Sequence, residues 1–275
     1  MGTTRRIIGG NGIELSVYDC GNQSGPSVLF IHGFCQSHLS WDCQLESELA
    51  DEFRLVALDL RGHGMSDKPT DPSNYTDGQN WADDIAAVIR ECGLEKPVLV
   101  AWSYGGYVLS DYLQHYGEGD ISGLIFAAAG VRRGMDSAQG LARPGIIDLL
   151  PGLMSTDLAE NLAATREFVI NCTAVPPSDE EREKIVAFNM MTPPFVREAM
   201  FSRALDFLPM LADIQVPSLV IHGVDDDVID INMSKLILEA IPNAQKSFFE
   251  GAGHAPFCED PDRFNRELAT FVRSC

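Results

Sequence analysis

Val98-Leu99-Val100-Ala101-Trp102-Ser103-Tyr104-Gly105-Gly106 is the stretch on which the reading of this chain turns. An apolar run of strand character enters a small-residue turn at Ser103, and Tyr107, Val108, Tyr112 and Leu113 continue at helical spacing. A serine on such a strand-to-helix turn is forced into a strained backbone conformation. That lifts Oγ above the sheet edge and points a helix N-terminus at the oxygen the serine attacks. Strand and helix nearly touch there, so the neighbours must be small. Gly105 meets the G-x-S-x-G pattern, and Ala101 stands one methyl away from it. A serine in such a run is also an ordinary turn or N-cap residue, so the rest of the chain has to decide.

Outward from this turn, strand and helix patterns alternate. Residues 5–9 and 13–19 flank Gly10-Asn11-Gly12, and an Asn-Gly pair between two such runs predicts an antiparallel hairpin at the start. Residues 27–32 and 54–59 read as strands too apolar to have a wet face, separated by a helix-length segment around residues 41–49. The next helix carries Trp81, Ile85, Val88 and Ile89, opens on a Thr76-x-x-Gln79 capping box and stops at Gly93. Further strands are expected over residues 123–127, 218–222 and 246–249. Strand then helix, repeated, implies right-handed crossovers, a mainly parallel eight-stranded sheet with helices on both faces, and reactive loops at the strands' carboxyl ends.

Residues 131–212 break the rhythm with helical, proline-punctuated sequence, including Leu149-Leu150-Pro151, Met190-Met191-Thr192-Pro193-Pro194-Phe195 and a final helix through Met200, Ala204 and Phe207. The expected organisation is therefore an α/β core of residues 1–130 and 213–275 carrying a helical cap at 131–212. Internal repeats and low-complexity tracts are absent from the sequence.

Composition bounds the partners. The 275 residues are 45% hydrophobic, enough for a full core, and 40 acidic against 20 basic side chains give a formal charge of −20. A field of that sign repels phosphate backbones and anionic lipid, which argues against nucleic-acid and membrane-surface binding. No run approaches the roughly 18 apolar residues of a membrane span, and Met1-Gly2-Thr3-Thr4-Arg5-Arg6 leads into no apolar signal core. Seven scattered cysteines without C-x-x-C spacing argue against a disulfide framework or a zinc site and suit reduced thiols in the cytoplasm. Cys35, beside an early strand end, reads as a small apolar filler, with a reactive thiol as the alternative.

Acyl transfer by a serine needs a base, an acid that orients the base, and donors for the oxyanion. Each has a candidate just after an expected strand. His254 lies in Glu250-Gly251-Ala252-Gly253-His254-Ala255-Pro256, a glycine-rich loop that lets an imidazole reach across the sheet edge; alone, it would read as a surface-loop histidine. After His222-Gly223 come Asp225, Asp226 and Asp227. Asp226 has the orienting spacing, and its neighbours read as turn or solvated residues, since three adjacent buried carboxylates would raise one another's pKa. The amides of Tyr104 and, after the small Gly33, of Phe34 are the oxyanion-hole candidates. No metal or organic cofactor is needed by this chemistry.

The pieces His32-Gly33-Phe34, Asp59-Leu60-Arg61-Gly62-His63-Gly64-Met65-Ser66, Ala101-Trp102-Ser103-Tyr104-Gly105-Gly106, Ile221-His222-Gly223-x-x-Asp226 and Gly253-His254 together resemble the α/β-hydrolase superfamily over nearly the whole chain. The resemblance is nearest to its single-cap esterase and cofactor-free haloperoxidase (perhydrolase) branch. It implies the α/β-hydrolase fold, the triad order Ser103, Asp226, His254 and a structural role for His63. It also disfavours the epoxide hydrolases and haloalkane dehalogenases of this fold, which use an aspartate nucleophile. Trp102 departs from the His or Gln common before the serine.

The expected activity is cleavage of a small, largely apolar carboxylic ester through an acyl-enzyme. Trp41, Trp102, Leu150, Met154, Met190, Met191 and Phe195 are candidate pocket residues, although such side chains at helical spacing more often form core. The same serine also suits an acyltransferase, a perhydrolase or a carbon–carbon bond hydrolase. A receptor could keep the fold and the triad without turnover. Oligomeric state is not legible.

Overall fold

The computed structural model describes residues 2–134 and 141–275. Its strands are β1 (Thr3–Ile8), β2 (Glu14–Gly21), β3 (Ser27–Ile31), β4 (Arg54–Leu58), β5 (Val98–Trp102), β6 (Gly123–Ala127), β7 (Arg132–Arg133), β8 (Leu205–Asp206), β9 (Ser218–Gly223) and β10 (Gln245–Phe249). Eight of them form one sheet in the order β1-β2-β4-β3-β5-β6-β9-β10; β7 and β8 form a separate two-residue ladder. β1–β2 and β2–β4 pair antiparallel, and every later pair in the large sheet is parallel. The hairpin turn carries Asn11 at φ 56° and Gly12 at φ 73°, the left-handed region that Asn and Gly tolerate.

The side-chain period of two sends alternate residues of each central strand into two separate cores. Leu29, Ile31, Val56, Leu58, Leu99, Ala101, Leu124 and Phe126 belong to one; Val28, Phe30, Leu55, Ala57, Val98, Val100, Trp102, Ile125 and Ala127 belong to the other. The first core is covered by α4 (Gly78–Glu91), α5 (Gly105–Tyr116) and α11 (Asn232–Ala240), which contribute Trp81, Val108 and Ile237 among others. The second is covered by α1 (Asp42–Leu45), α2 (Leu49–Glu52), α12 (Pro256–Glu259) and α13 (Pro261–Ser274). In α13 the buried Phe264, Leu268, Phe271 and Val272 make one apolar stripe.

Between β6 and β9 the described residues form four helices of at least eight residues: α6 (Pro144–Leu153), α7 (Leu158–Asn171), α8 (Asp179–Asn189) and α9 (Pro194–Phe201). Arg197, buried in α9, ties this insertion together by donating to the carbonyls of Thr192, Leu153 and Asn189 at 2.8–2.9 Å. Short α3 (Ser73–Thr76) and α10 (Leu208–Leu211) complete the helices of the described residues.

Three expectations about helices need correction. The segment at 41–49 is not one helix: a 3-10 turn at His38–Trp41 leads into α1, and α2 is separate. Ser47 competes with the helical ladder there, donating to Gln44 O and accepting from Leu49 N. The cap of α4 is Asp77, which accepts from Gln79 N, while Thr76 ends α3. The helix expected through Met200, Ala204 and Phe207 stops at Phe201, where α9 ends, and Leu205 and Asp206 pair with Arg133 and Arg132 instead.

Candidate active site

Ser103 sits directly between β5 and α5 at φ 53°, the left-handed region rarely adopted by a residue with a Cβ. Strain of this kind costs on the order of 1–3 kcal/mol and is held by the surroundings. Ser103 N donates to Ala127 O at 3.2 Å, and Ser103 O accepts from Gly106 N at 3.0 Å and Gly130 N at 2.9 Å. Gly105 lies so close to β3 that a Cβ would stand 2.5 Å from Ile31 O. Ala101 causes no such conflict. Its side chain is still a strand position, fully buried in the first core.

The loop after β3 meets the elbow from the other side: a Cβ on Gly33 would lie 2.9 Å from Ser103 Cβ. His32 fixes this loop. It is fully buried, its Nδ1 lies 2.8 Å from Gly33 O and its Nε2 accepts from Leu60 N at 3.0 Å, so Nδ1 carries the proton. Burial pulls its pKa down to about 4, which keeps the ring neutral. His63 packs on His32 with ring centroids 5.0 Å apart and bonds Arg61 O through Nδ1. Arg61 in turn grips Asp84 with two 2.7 Å bonds and donates to Gly10, Asn74 and Asn80 carbonyls, locking hairpin, loop and α4 together. The amides of Phe34 and Tyr104, on the two turns that meet, have no protein acceptor among the described residues. Cys35 is buried at φ 59°, and burial pushes its thiol up to about 11, so it fills space rather than reacting.

Asp226 and His254 meet at the end of the sheet. His254 Nδ1 is 2.7 Å from Asp226 Oδ2, and Asp226 Oδ1 accepts from Val228 N at 2.7 Å and Ile229 N at 2.9 Å. His222 Nε2 approaches the same carboxylate at 3.2 Å, its Nδ1 being bonded to Ser234 Oγ. Burial would push the Asp226 pKa up, but the two imidazoles and their hydrogen bonds outweigh it and hold the carboxyl well below the usual range. Asp225 and Asp227 are exposed. Trp102, the residue before Ser103, donates its indole N–H to His254 O at 2.8 Å and stacks obliquely near the imidazole, ring centroids 5.5 Å apart. The elbow strand thus holds the histidine loop directly.

Ser103 opens into a cavity of about 370 Å³ whose walls come from core and insertion, among them Phe34, Tyr104, Ile146, Leu150, Leu153, Phe168, Phe201, Ile229 and Met233. Arg132 and Arg133 line its cationic side, Arg133 lying over the Phe201 ring at 4.1 Å and donating to Met200 O and Phe201 O. Of the expected pocket residues, Leu150 lines this cavity. Trp41 and Trp102 point into the second core, because the strand period puts Trp102 on the face opposite Ala101. Met154, Met190, Met191 and Phe195 are on the insertion but not on the cavity wall; Met191 and Phe195 are exposed. Ile146, Leu153 and Phe168 carry no sequence signal because insertion helices have apolar residues on several faces, and Met233 none because it lies on a core helix, α11. The Trp102 anchor was signalled only by its departure from the common residue before the serine.

A family model described as the alpha/beta hydrolase family matches residues 28–267, and the chain belongs to that family. It is similar to an esterase from Rhodococcus sp. ECU1013, at 36% identity and TM-score 0.93 over 98% of both chains. It is similar also to a putative aryl esterase from Burkholderia cenocepacia, at 33% identity and TM-score 0.92 over 99% of this chain and 98% of the other. Among curated proteins, a bifunctional esterase/perhydrolase from Acinetobacter calcoaceticus is 28% identical over 96% of this chain and 98% of its own. No described helix is long and apolar enough to cross a membrane.

Proposed function

We propose that the protein hydrolyses small, largely apolar carboxylic esters through an acyl-enzyme on Ser103. The observation that carries this reading is the left-handed Ser103 at the β5–α5 turn, facing a mainly apolar cavity between two amides without protein acceptors. Asp226 stays ionised and can only accept, so His254 Nδ1 carries a proton and Nε2 keeps the lone pair that takes the Ser103 proton. The Phe34 and Tyr104 amides stabilise the tetrahedral oxyanion, each donor being worth about 3 kcal/mol of barrier. His254 then protonates the departing alcohol, and water deprotonated by the same imidazole releases the acid. The helical insertion acts as the cap that closes the acyl pocket.

p-Nitrophenyl esters of increasing chain length test this directly. Ser103→Ala is expected to lose about 10⁴-fold or more in kcat/KM. An optimum at short to medium acyl chains fits the cavity; equal turnover of wild type and Ser103→Ala removes the proposal. The esterase/perhydrolase relative supports a second use of the same acyl-enzyme, in which hydrogen peroxide replaces water as the acceptor. The ratio of peracid to acid formed on adding peroxide measures that partition.

A further inference from the structure

A second cavity, of about 390 Å³, lies on the other side of Trp102, between α8 of the insertion and the α1 and α12 elements of the core. Two free cysteines, Cys43 of α1 and Cys258 of α12, stand in its wall, and both are exposed. Their elements are stitched together at these positions. Cys258 Sγ donates to Ser40 O at 3.5 Å, Gln44 Nε2 donates to Phe257 O at 2.9 Å, and Asn265 Nδ2 donates to Cys43 O at 3.1 Å. The two cysteines stand in the wall of the same cavity, and Ser40, whose carbonyl the Cys258 thiol bonds, lies three residues before Cys43.

We infer that Cys43 and Cys258 form a two-thiol oxidation site, open to a small peroxide, that closes into an intramolecular disulfide between α1 and α12. The roles divide by environment. The Cys258 side chain beside it brings the Cys43 thiol down to about 7, aided by the Lys184 ammonium and opposed by partial burial and the carboxylates of Asp42 and Glu181. The neighbouring Cys43 side chain and burial hold the Cys258 thiol well above its ordinary value. Cys43 is therefore the attacking sulfur and Cys258 the resolving one.

The Cys43 thiolate attacks one oxygen of hydrogen peroxide, breaking the O–O bond. This leaves a sulfenic acid, and the displaced hydroxide takes a proton to become water. The Cys258 sulfur then attacks the Cys43 sulfur as its thiol proton leaves. The hydroxide displaced from sulfur departs with that proton as a second water, so two thiols give up two electrons and the peroxide is reduced. The site neighbours the reactive end of the fold, since α12 begins two residues after His254.

The test uses the whole chain, reduced and then freed of reductant. With stoichiometric hydrogen peroxide, the wild type is expected to lose about 2 Da and to yield a linked peptide pair containing Cys43 and Cys258, reversed by dithiothreitol. Cys258→Ser should instead accumulate a dimedone-trappable sulfenic acid at Cys43, and Cys43→Ser should form neither product. Alkylation at pH 7 should label Cys43 about 10-fold faster than Cys275, an exposed cysteine whose thiol burial pushes up. Both serine variants should keep wild-type ester hydrolysis, which reports that they fold. Peroxide treatment of the wild type that leaves Cys43 and Cys258 unlinked, or links chains to one another instead, overturns the inference.

Discussion

Two buried aspartates, Asp226 beside imidazoles and Asp111 beside a guanidinium, meet different fates. Asp226 accepts two backbone amides on Oδ1 and the His254 imidazole on Oδ2, with His222 Nε2 3.2 Å from the same oxygen, and these hold it ionised. Asp111, in α5, receives a single 2.7 Å bond from Arg203, while its Oδ2 and the Nε and Nη1 of Arg203 find no partner among the described residues. Burial dominates there and pushes the Asp111 pKa up to about 6, the Arg203 charge offsetting only part of it. A buried carboxylate next to a basic side chain is thus not one kind of object. Where the fold supplies backbone donors the anion is fixed for use; where it supplies one side chain the pair is a tie between insertion and core.

The largest expected contrast is in turnover. Asp226→Asn should lower kcat for ester hydrolysis by about 10⁴-fold, because the amide no longer holds the imidazole in the useful tautomer, while Asp111→Asn should stay within about 10-fold of wild type. Near-equal losses would erase the distinction. The next contrast is in stability: Arg203→Ala leaves Asp111 buried and unpaired and is expected to cost about 3–5 kcal/mol in urea unfolding near neutral pH. Adding Asp111→Asn to that variant should recover part of the loss.

The pH dependence of unfolding sharpens the same comparison, with opposite signs. Asp226 is held below its unfolded value, so its contribution is present above about pH 4 and is lost as pH falls further. Asp111 is raised, so the folded state keeps a proton that the unfolded chain releases. Its effect is a loss of stability as pH climbs from about 4 to about 6, on the order of 1–3 kcal/mol. Urea midpoints across this range should show the falling limb flattened in Asp111→Asn and kept in Asp226→Asn. The smallest effect expected is that of Trp102→Phe, which deletes the bond to His254 O; about 1 kcal/mol of stability and a modest fall in kcat would follow.

Much of this was legible in the chain because the features concerned are local. The hairpin follows from Asn11-Gly12, the paired cores follow from the alternation of apolar side chains in β3 to β6, and the elbow follows from small residues flanking Ser103. Asp226 stands apart from its neighbours because the turn after β9 exposes Asp225 and Asp227 and buries only the middle carboxyl. What was not legible depends on contacts between distant segments. Whether Leu150 or Met190 faces the cavity depends on how α6 and α8 rotate on the core, and nothing in either helix's own sequence sets that rotation. The Arg203–Asp111 tie and the neighbouring Cys43 and Cys258 join residues separated by 92 and 215 positions, and neither pair has a local signal. The broken helix near Ser47 was a local event, but its cause was a hydroxyl competing with the backbone, which apolar spacing does not report.

The central claim is that the hydroxyl of Ser103 is the nucleophile and that His254 makes it one. Incubating the native protein with a fluorophosphonate and mapping the adduct by mass spectrometry tests both halves at once. One phosphonyl group on Ser103 of the wild type, with labelling slowed about 10³-fold or more in His254→Ala, is the expected result. An adduct on any other residue, or undiminished labelling of Ser103 without His254, would contradict the account.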